Sequence, residues 1–220
     1  MRPENEAFVP ALGYRWLTPL YDVVVRATTR ERRFKRALIG QAGILPGQRV
    51  LDLATGTGTL AIWIKQAQPA AEVTGVDVDP EILARAERKA RLAHAEISLR
   101  QARSDTLPFP ARYFDRVMSS LFFHHLTWQD KVRTAGELFR VMRPGAELHV
   151  ADWGRPANPL MRGLFLAVQC LDGFATTRDN VAGRLVGLFE QAGFREVAES
   201  RRFSTVLGTL SLYRAVRPGA

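Results

Sequence analysis

Short apolar runs alternate with longer amphipathic stretches along most of the chain. Five runs are typical of buried strands: Arg49–Leu53, Glu72–Asp77, Ile97–Gln101, Phe114–Ser119 and Glu147–Asp152. The stretches between them predict three helices: Thr59–Gln68, Pro80–Ala93 and Lys131–Met142. The pair Pro144-Gly145 follows the last of these, where a helix is expected to have ended. This alternation predicts an α/β fold, in which a mostly parallel sheet carries helices on both faces.

Both ends of the chain add to this repeating unit. Helical spacing extends over three further stretches: Tyr14 to Ala42, Pro159–Leu171 and Asn180–Ala192. The segments Arg195–Phe203 and Thr205–Val216 contain alternating apolar positions and predict a closing antiparallel hairpin. The result is a Rossmann-like sheet of seven strands. We predict one globular domain, in which residues 1–43 form a helical lid and residues 44–220 hold the sheet.

A glycine-rich turn joins the first strand to the first of these helices. The segment from Val50 to Ala61 reads VLDLATGTGTLA. Gly56 and Gly58 lack a β-carbon, so the backbone can turn sharply and a ligand can approach the peptide groups closely. The following helix presents unpaired N–H donors at its start. The arrangement is typical of nucleotide-binding turns, although similar turns also occur without a ligand.

Two carboxylates accompany this turn, Asp52 in the first strand and Asp77 at the end of the second. An acid at the end of the second strand can accept hydrogen bonds from both ribose hydroxyls of an adenosine. Asp52 would repel a pyrophosphate but attract a sulfonium and an ammonium group. The pair therefore favours S-adenosylmethionine over a dinucleotide. The alternative is structural: Asp52 caps a helix or anchors a loop, and Asp77 is an ordinary turn residue.

Five segments in order resemble motifs of class I S-adenosylmethionine-dependent methyltransferases: VLDLATGTG, GVDVDP, TLPFP, FDRVMSSLFFHHL and LFRVMRPGAELHVADW. Small-molecule enzymes of the ubiquinone/menaquinone-biosynthesis type are the nearest in pattern. The resemblance covers residues 44–153, half of the 220 residues. It implies that residues 44–220 form a methyltransferase domain. This domain would convert S-adenosylmethionine to S-adenosylhomocysteine and methylate a small acceptor, aromatic or lipophilic in character.

The resemblance also implies which residues hold the cofactor. Contacts to the methionine portion would come from the glycine loop: Ala54, Gly56, Thr57 and Gly58. Asp77 would hold the ribose, and Ser120 would close over the cofactor from the end of the fourth strand. Tyr21 has the placement of a lid tyrosine, with an ordinary core aromatic as the alternative.

The adenine side departs from the family at one position. Val78 would flank the adenine, and Arg103 and Ser104 would line it. Members of the family often have an acid where this chain has Arg103. The contact that this acid makes to the adenine amine is therefore either absent or supplied by Ser104 or Asp105.

Methyl transfer from a sulfonium requires the acceptor in line with the departing sulfur, so positioning supplies much of the acceleration. A proton must also leave if the acceptor is a phenol or an activated carbon beside one. His125 and His124, just past the fourth strand, are the candidate bases. The alternative is that they form a structural turn. Asp152 and Trp153, at the end of the fifth strand, face the same edge and are candidates to shape the acceptor pocket.

Composition restricts the remaining chemistry. Cys170 is the single cysteine, which excludes an internal disulfide and a multi-cysteine zinc site. We predict no metal, and a small core residue at this position. One set of large apolar side chains fits core packing better than an acceptor pocket: Phe165, Leu166, Phe174, Phe189 and Phe203.

The net charge of +9 includes basic clusters at Arg30–Arg36 and Arg85–Arg91. Solvated helix faces are the plainer explanation, and contact with phosphates or an anionic membrane surface is the alternative. The first residues do not resemble a signal peptide, and no apolar run approaches the length of a membrane span, which predicts a cytoplasmic location. The oligomeric state is left open.

Three other functions compete with methylation of a small molecule. A dehydrogenase would share the glycine turn and the second acid, but the chain has no Tyr-x-x-x-Lys pair. RNA would suit the basic charge, but the segment SSLFF lacks the Asn/Asp-Pro-Pro-aromatic set of enzymes that methylate base amines. Nucleic acid is therefore disfavoured as a partner. A non-catalytic cofactor-binding module would keep the same cofactor site and differ only in turnover.

Overall fold

The computed structural model describes residues 31–219, so Tyr21 and most of the predicted lid lie outside the described residues. One sheet has seven strands: β1 (Arg49–Leu53), β2 (Glu72–Asp77), β3 (Ser98–Gln101), β4 (Phe114–Ser120), β5 (Met142–Trp153), β6 (Arg195–Thr205) and β7 (Gly208–Val216). Seven α-helices lie in the same range: α1 (Glu31–Ala42), α2 (Thr59–Ala67), α3 (Pro80–Leu92), α4 (Trp128–Val141), α5 (Pro159–Asp172), α6 (Phe174–Val181) and α7 (Leu185–Gln191). A 3-10 turn covers Phe123–His125.

The strand order is β3-β2-β1-β4-β5-β7-β6. The first five strands in this order pair in parallel, and β7 pairs antiparallel with both β5 and β6. The predicted Rossmann-like sheet with an antiparallel terminal hairpin is therefore confirmed. Since parallel strands end at a common edge, the loops after β1, β2, β4 and β5 meet at the carboxyl edge of the sheet.

Local sequence explains where the helices next to this edge begin. Asp79 precedes α3, and its side chain accepts a hydrogen bond from the Glu81 amide at 2.8 Å, while Pro80 occupies the first turn. Thr127 precedes α4 and accepts from the Asp130 amide at 3.3 Å. Both are ordinary N-caps, which satisfy amide groups that the helix itself leaves unpaired. They fix the entry of each helix just past its strand.

The helix predicted over Asn180–Ala192 is confirmed only in its later part, as α7, because a separate helix, α6, ends at Val181. The chain turns between α6 and α7 at Gly183, whose φ is 73°. Helix α6 buries Thr177 and Asn180 and exposes Phe174, so apolar spacing does not reveal it.

Strand β5 also begins earlier than predicted. It starts at Met142, directly after α4, and continues through the Pro144-Gly145 pair. The register of its pairing with β4 shifts between Phe114 and Arg116, which accommodates the extra residues of β5. The helix thus ends where the breaker pair predicts, but the strand begins five residues before Glu147.

Each face of the sheet has its own core. On one face, α4 and α7 pack against the strands through residues such as Leu138 and Phe189. On the other, α1, α2 and α5 pack through residues such as Phe34, Leu60 and Phe165.

Core packing is confirmed for only part of the predicted apolar set. Phe165, Phe189 and Phe203 are buried, whereas Leu166 and Phe174 are 44% and 54% exposed. Cys170 is exposed as well, so its prediction as a core residue is wrong.

Among residues 31–219, no helix is both long enough and apolar enough to cross a bilayer. The cytoplasmic location stays a prediction.

Candidate active site

The glycine loop between β1 and α2 is held in left-handed backbone. The φ angles are 55° at Ala54, 55° at Gly56 and 76° at Gly58. A left-handed conformation is strained for alanine and easy for glycine, and such strain gathers at functional sites. The two glycines serve different purposes. A β-carbon on Gly58 would lie 3.1 Å from the Ala86 β-carbon of α3, whereas one on Gly56 would meet no heavy atom within 4 Å.

Asp52 lies beneath this loop and is buried. Its Oδ2 accepts hydrogen bonds from the Thr55 hydroxyl at 2.7 Å and from the Ala61 amide at 3.0 Å. Burial raises the pKa of Asp52 to about 6, against the lowering effect of these bonds and of the Lys35 charge. The carboxylate thus ties the loop to the first turn of α2, and its charge is more costly than that of an exposed acid.

Asp77 ends β2 and holds the outer side of the same loop. Its Oδ2 accepts from the Gly56 amide at 2.9 Å, and its Oδ1 accepts from the Asp79 amide at 3.1 Å. Burial raises the pKa of Asp77 above its ordinary value, and these amides oppose the rise. Each carboxylate oxygen can accept a second hydrogen bond, so the group keeps capacity for ribose hydroxyls.

A lysine that the sequence did not single out for this site reaches the glycine loop from α3. The Lys89 ammonium donates to the Thr57 hydroxyl at 3.2 Å and to the Thr59 hydroxyl at 2.5 Å. Thr57, predicted to hold the methionine portion, therefore engages a cation carried by α3. The basic cluster around Arg88 was the only sequence signal for this contact.

The residues predicted to line the adenine lie on the same side of the sheet. Val78 directly follows β2, and its carbonyl accepts from the Gln101 side chain at 3.1 Å. Arg103 is paired with Asp105 through two hydrogen bonds of 3.1 and 3.2 Å. Ser104 contacts the Thr134 hydroxyl at 2.8 Å. The guanidinium and hydroxyl thus have protein partners of their own.

Ser120 is the last residue of β4 and pairs in register with Ala151. The next residue, Leu121, has a φ of 56°, a strained angle for a branched side chain. The chain therefore turns abruptly at the carboxyl edge, one strand away from the glycine loop. This is the point from which Ser120 is predicted to close over the cofactor.

Beyond Ser120, His124 and Asp152 form a buried pair. His124 Nδ1 lies 2.7 Å from Asp152 Oδ1, and both side chains are almost fully excluded from solvent. Asp152 also accepts from the Phe122 and Trp153 amides and from the Asn180 side chain. Desolvation opposes its charge, but His124 and these donors hold the pKa of Asp152 below its usual range.

His125 stands beside this pair. The two imidazole ring centres are 4.0 Å apart, and Asp172 Oδ2 at the end of α5 lies 3.5 Å from His124 Nε2. Burial, with the neighbouring His124, lowers the pKa of His125 to about 3, so this ring is neutral near pH 7. Burial raises the pKa of Asp172. We call His124, His125, Asp152 and Asp172 the histidine cluster.

Sequence reasoning missed Asp172, which belongs to this cluster from α5, and Asn180, which donates to Asp152 from α6. They stand 48 and 56 positions after His124, in helices without a motif. Only the fold brings them together, because α6 packs against the 3-10 turn that carries the histidines.

The carboxyl edge offers what an adenosyl cofactor requires. The space around Gly56 is open because this residue has no β-carbon, which would fill part of that space. Asp77 stands beside that space with acceptor capacity, and the buried charge of Asp52 lies below it. A cationic sulfonium would offset the cost of that charge. The residues therefore fit the cofactor that the sequence predicts.

Comparison with known proteins places the chain among methyltransferases. A family described as "Methyltransferase domain" matches residues 50–145. A "Ubiquinone/menaquinone biosynthesis C-methyltransferase UbiE" of Syntrophotalea carbinolica is 32% identical over 91% of both chains. A "Demethylmenaquinone methyltransferase" of Thermus thermophilus is 37% identical over 64% of both. In structure, a magnesium protoporphyrin IX methyltransferase of Synechocystis with bound S-adenosylhomocysteine matches with a TM-score of 0.68 at 20% identity, over 85% of this chain and 83% of that one.

Proposed function

Because the chain belongs to the UbiE-type family of S-adenosylmethionine-dependent methyltransferases, we propose that it methylates a ring carbon of a small quinol. Two relatives have names that refer to quinones, which supports this class of acceptor. One observation carries the proposal. The histidine cluster follows β4 and β5 at the same edge as the cofactor loop after β1, and β4 lies directly beside β1.

The cofactor supplies an electrophilic methyl group when it is bound. The glycine loop and Asp77 would hold it, with Val78, Arg103, Ser104 and Ser120 around its adenosine portion and Tyr21 as the lid residue. The acceptor would then lie against the carboxyl ends of β4 and β5. Methylation of a ring carbon would release one proton from the acceptor, which a group of the protein or the solvent must receive.

The histidine cluster is proposed to receive that proton. His124 has both ring nitrogens engaged by carboxylates, which fixes its orientation. His125 is neutral and only partly covered, so it is the ring placed to accept a hydrogen bond from a quinol hydroxyl. Its low pKa makes it a weak base on its own. The Asp152 carboxylate opposes the lowering of this pKa, because it favours positive charge on the neighbouring His125 ring.

The test is turnover with labelled cofactor and three kinds of acceptor: 1,4-dihydroxynaphthalene with a short alkyl substituent, simple phenols and total RNA. We expect a product with a new methyl on the quinol ring, identified by mass spectrometry and NMR. Methylation of RNA alone would contradict the proposal. Cofactor binding without turnover on any acceptor would instead support a binding module.

His125→Gln should lower turnover on the order of 100-fold, the lower end of general-base effects, because the wild-type ring is a weak base. Cofactor affinity should stay unchanged. His94→Gln is the matched control, since His94 follows α3, away from the histidine cluster. Wild-type turnover in His125→Gln would remove this residue from proton transfer.

A further inference from the structure

Exposed large apolar side chains are concentrated on one side of the described structure. Eight such residues are found within residues 31–219, and five of them belong to α5, the start of α6 and the β6–β7 turn. We call these five the apolar ridge: Leu160, Leu166, Leu171, Phe174 and Val206. Their exposed fractions range from 44% to 67%. Scattered single residues of this kind are ordinary on a protein surface, but a group of five is not.

Helix α5 is apolar on both sides. Its inner side buries Met161, Phe165 and Val168 against the sheet. Its outer side consists of small and apolar residues at spacings of three or four: Leu160, Gly163, Leu166, Ala167, Cys170 and Leu171. A helix on the surface of a globular protein normally turns a polar face to water. The outer side of α5 therefore has the character of a contact surface.

The helix that carries most of the ridge ends near the carboxyl ends of β4 and β5, where the acceptor is proposed to lie. Near the start of α5, the Met161 carbonyl oxygen is 3.5 Å from the position that a β-carbon on Gly208 would occupy, at the β6–β7 turn. At the other end, Asp172 Oδ2 is 3.5 Å from His124 Nε2. The helix thus reaches from the terminal hairpin to the histidine cluster. The end of α5 therefore lies beside the proposed acceptor site.

Exposed charges around the ridge are positive. Arg155 precedes α5, Arg178 lies on α6, and both are exposed. Arg32 and Arg33 are exposed on α1, which shares a core with α5 on the same face of the sheet. The two acids nearest to the ridge in the chain turn inward: Asp172 towards His124, and Asp179 towards Lys131 and Arg184.

We propose that the apolar ridge and its flanking arginines dock the protein on an anionic phospholipid bilayer. Apolar side chains enter the interface while cationic ones attract the lipid phosphates, the combination by which peripheral proteins bind membranes. The proposal extends the quinol function above, because a docked ridge lets a lipophilic acceptor pass from the bilayer to the histidine cluster. Lipid binding itself requires neither cofactor nor acceptor.

The test is flotation of the full-length protein with vesicles of phosphatidylcholine containing phosphatidylglycerol. The variant Leu166→Glu/Phe174→Glu should bind these vesicles at least about 30-fold more weakly, since two apolar side chains no longer enter the interface. The matched control is Leu45→Glu/Leu92→Glu, which alters residues that are 58% and 79% exposed away from α5. This control should bind as the wild type does.

The cationic component has its own measurement. Arg178→Glu should weaken binding by roughly five-fold or more, the value of one cation near an anionic surface, and added salt should abolish the difference. Arg88→Glu, on the exposed side of α3, should leave binding unchanged. Wild-type protein should bind vesicles of pure phosphatidylcholine more weakly than the anionic ones.

Three results would overturn the proposal: no binding of wild-type protein to anionic vesicles, equal loss in the control variant, or a ridge already covered by protein. The last would show as a smaller oligomer of Leu166→Glu/Phe174→Glu in light scattering, or as a lower unfolding midpoint. Turnover of this variant with a water-soluble quinol should equal that of the wild type. If the protein binds vesicles but methylates no quinol, the docking proposal holds and the proposed quinol acceptor is wrong.

Discussion

The cofactor half of the carboxyl edge and its acceptor half are built in different ways. The cofactor half is held around one turn: Asp52 bonds to Thr55 and Ala61, three and nine residues further along the chain, and Asp77 reaches the same turn at Gly56 from the neighbouring strand. After β4 and β5, the partners of Asp152 and His124 come from separate helices, as Asn180 and Asp172 do. A site made of local bonds leaves a motif in the sequence. A site made of tertiary contacts does not.

The largest expected effect falls on the acceptor half. Asp152→Ala should lower the free energy of unfolding by about 3–5 kcal/mol, because His124 and Asn180 would lose their buried partner. Asp152→Asn, which retains an acceptor oxygen, should lose less. Thermal and urea unfolding measure both. A loss below about 1 kcal/mol in the alanine variant would show that the acceptor half does not depend on this centre.

On the cofactor half, Asp77→Ala should weaken binding of S-adenosylhomocysteine by ~1.5–3 kcal/mol, the value of hydrogen bonds to a charged group. Calorimetry measures this affinity. Glu72→Ala is the matched control, since Glu72 is an exposed acid at the other end of the same strand. Unchanged affinity in Asp77→Ala would remove this residue from the ribose contact.

The two glycines of the loop should separate binding from folding. Alanine at either position meets a left-handed backbone and should cost about 1–2 kcal/mol of stability. Gly58→Ala adds a close contact with Ala86 and should be the less stable variant. Gly56→Ala fills the open side of the loop and should lose more cofactor affinity. Unfolding measures the stability of both variants, and calorimetry measures their cofactor affinity. Equal changes in the two variants would contradict this division.

The smallest expected effect is a pH dependence of cofactor preference. The pKa of Asp52 is raised to about 6, so its carboxyl gains charge as the pH rises through that value. A sulfonium is favoured by the charged form and the neutral thioether is not. Affinity for S-adenosylmethionine relative to S-adenosylhomocysteine should therefore rise by about tenfold between pH 5 and 7.5, the equivalent of one pKa unit. Asp52→Asn should hold this ratio constant.

The sequence predicted the strands, the glycine loop and the terminal hairpin, because each has a local signal in spacing or composition. It failed at α6, where Asp179 and Asn180 are buried and Phe174 is exposed. Those polar side chains bond to partners such as Asp152 and Arg184, which no periodicity in the helix can reveal. It failed at Cys170 for the opposite reason, since α5 carries apolar residues on the side that faces away from its core.

Asp172 closes α5, and the same helix carries three residues of the apolar ridge on its outside. Its 14 residues form a rod roughly 21 Å long. Displacement of this rod along its axis would change the distance between the Asp172 carboxylate and the His124 ring, which is 3.5 Å here. Binding at the outer side of α5 and the geometry of the histidine cluster would then be coupled through the position of one helix.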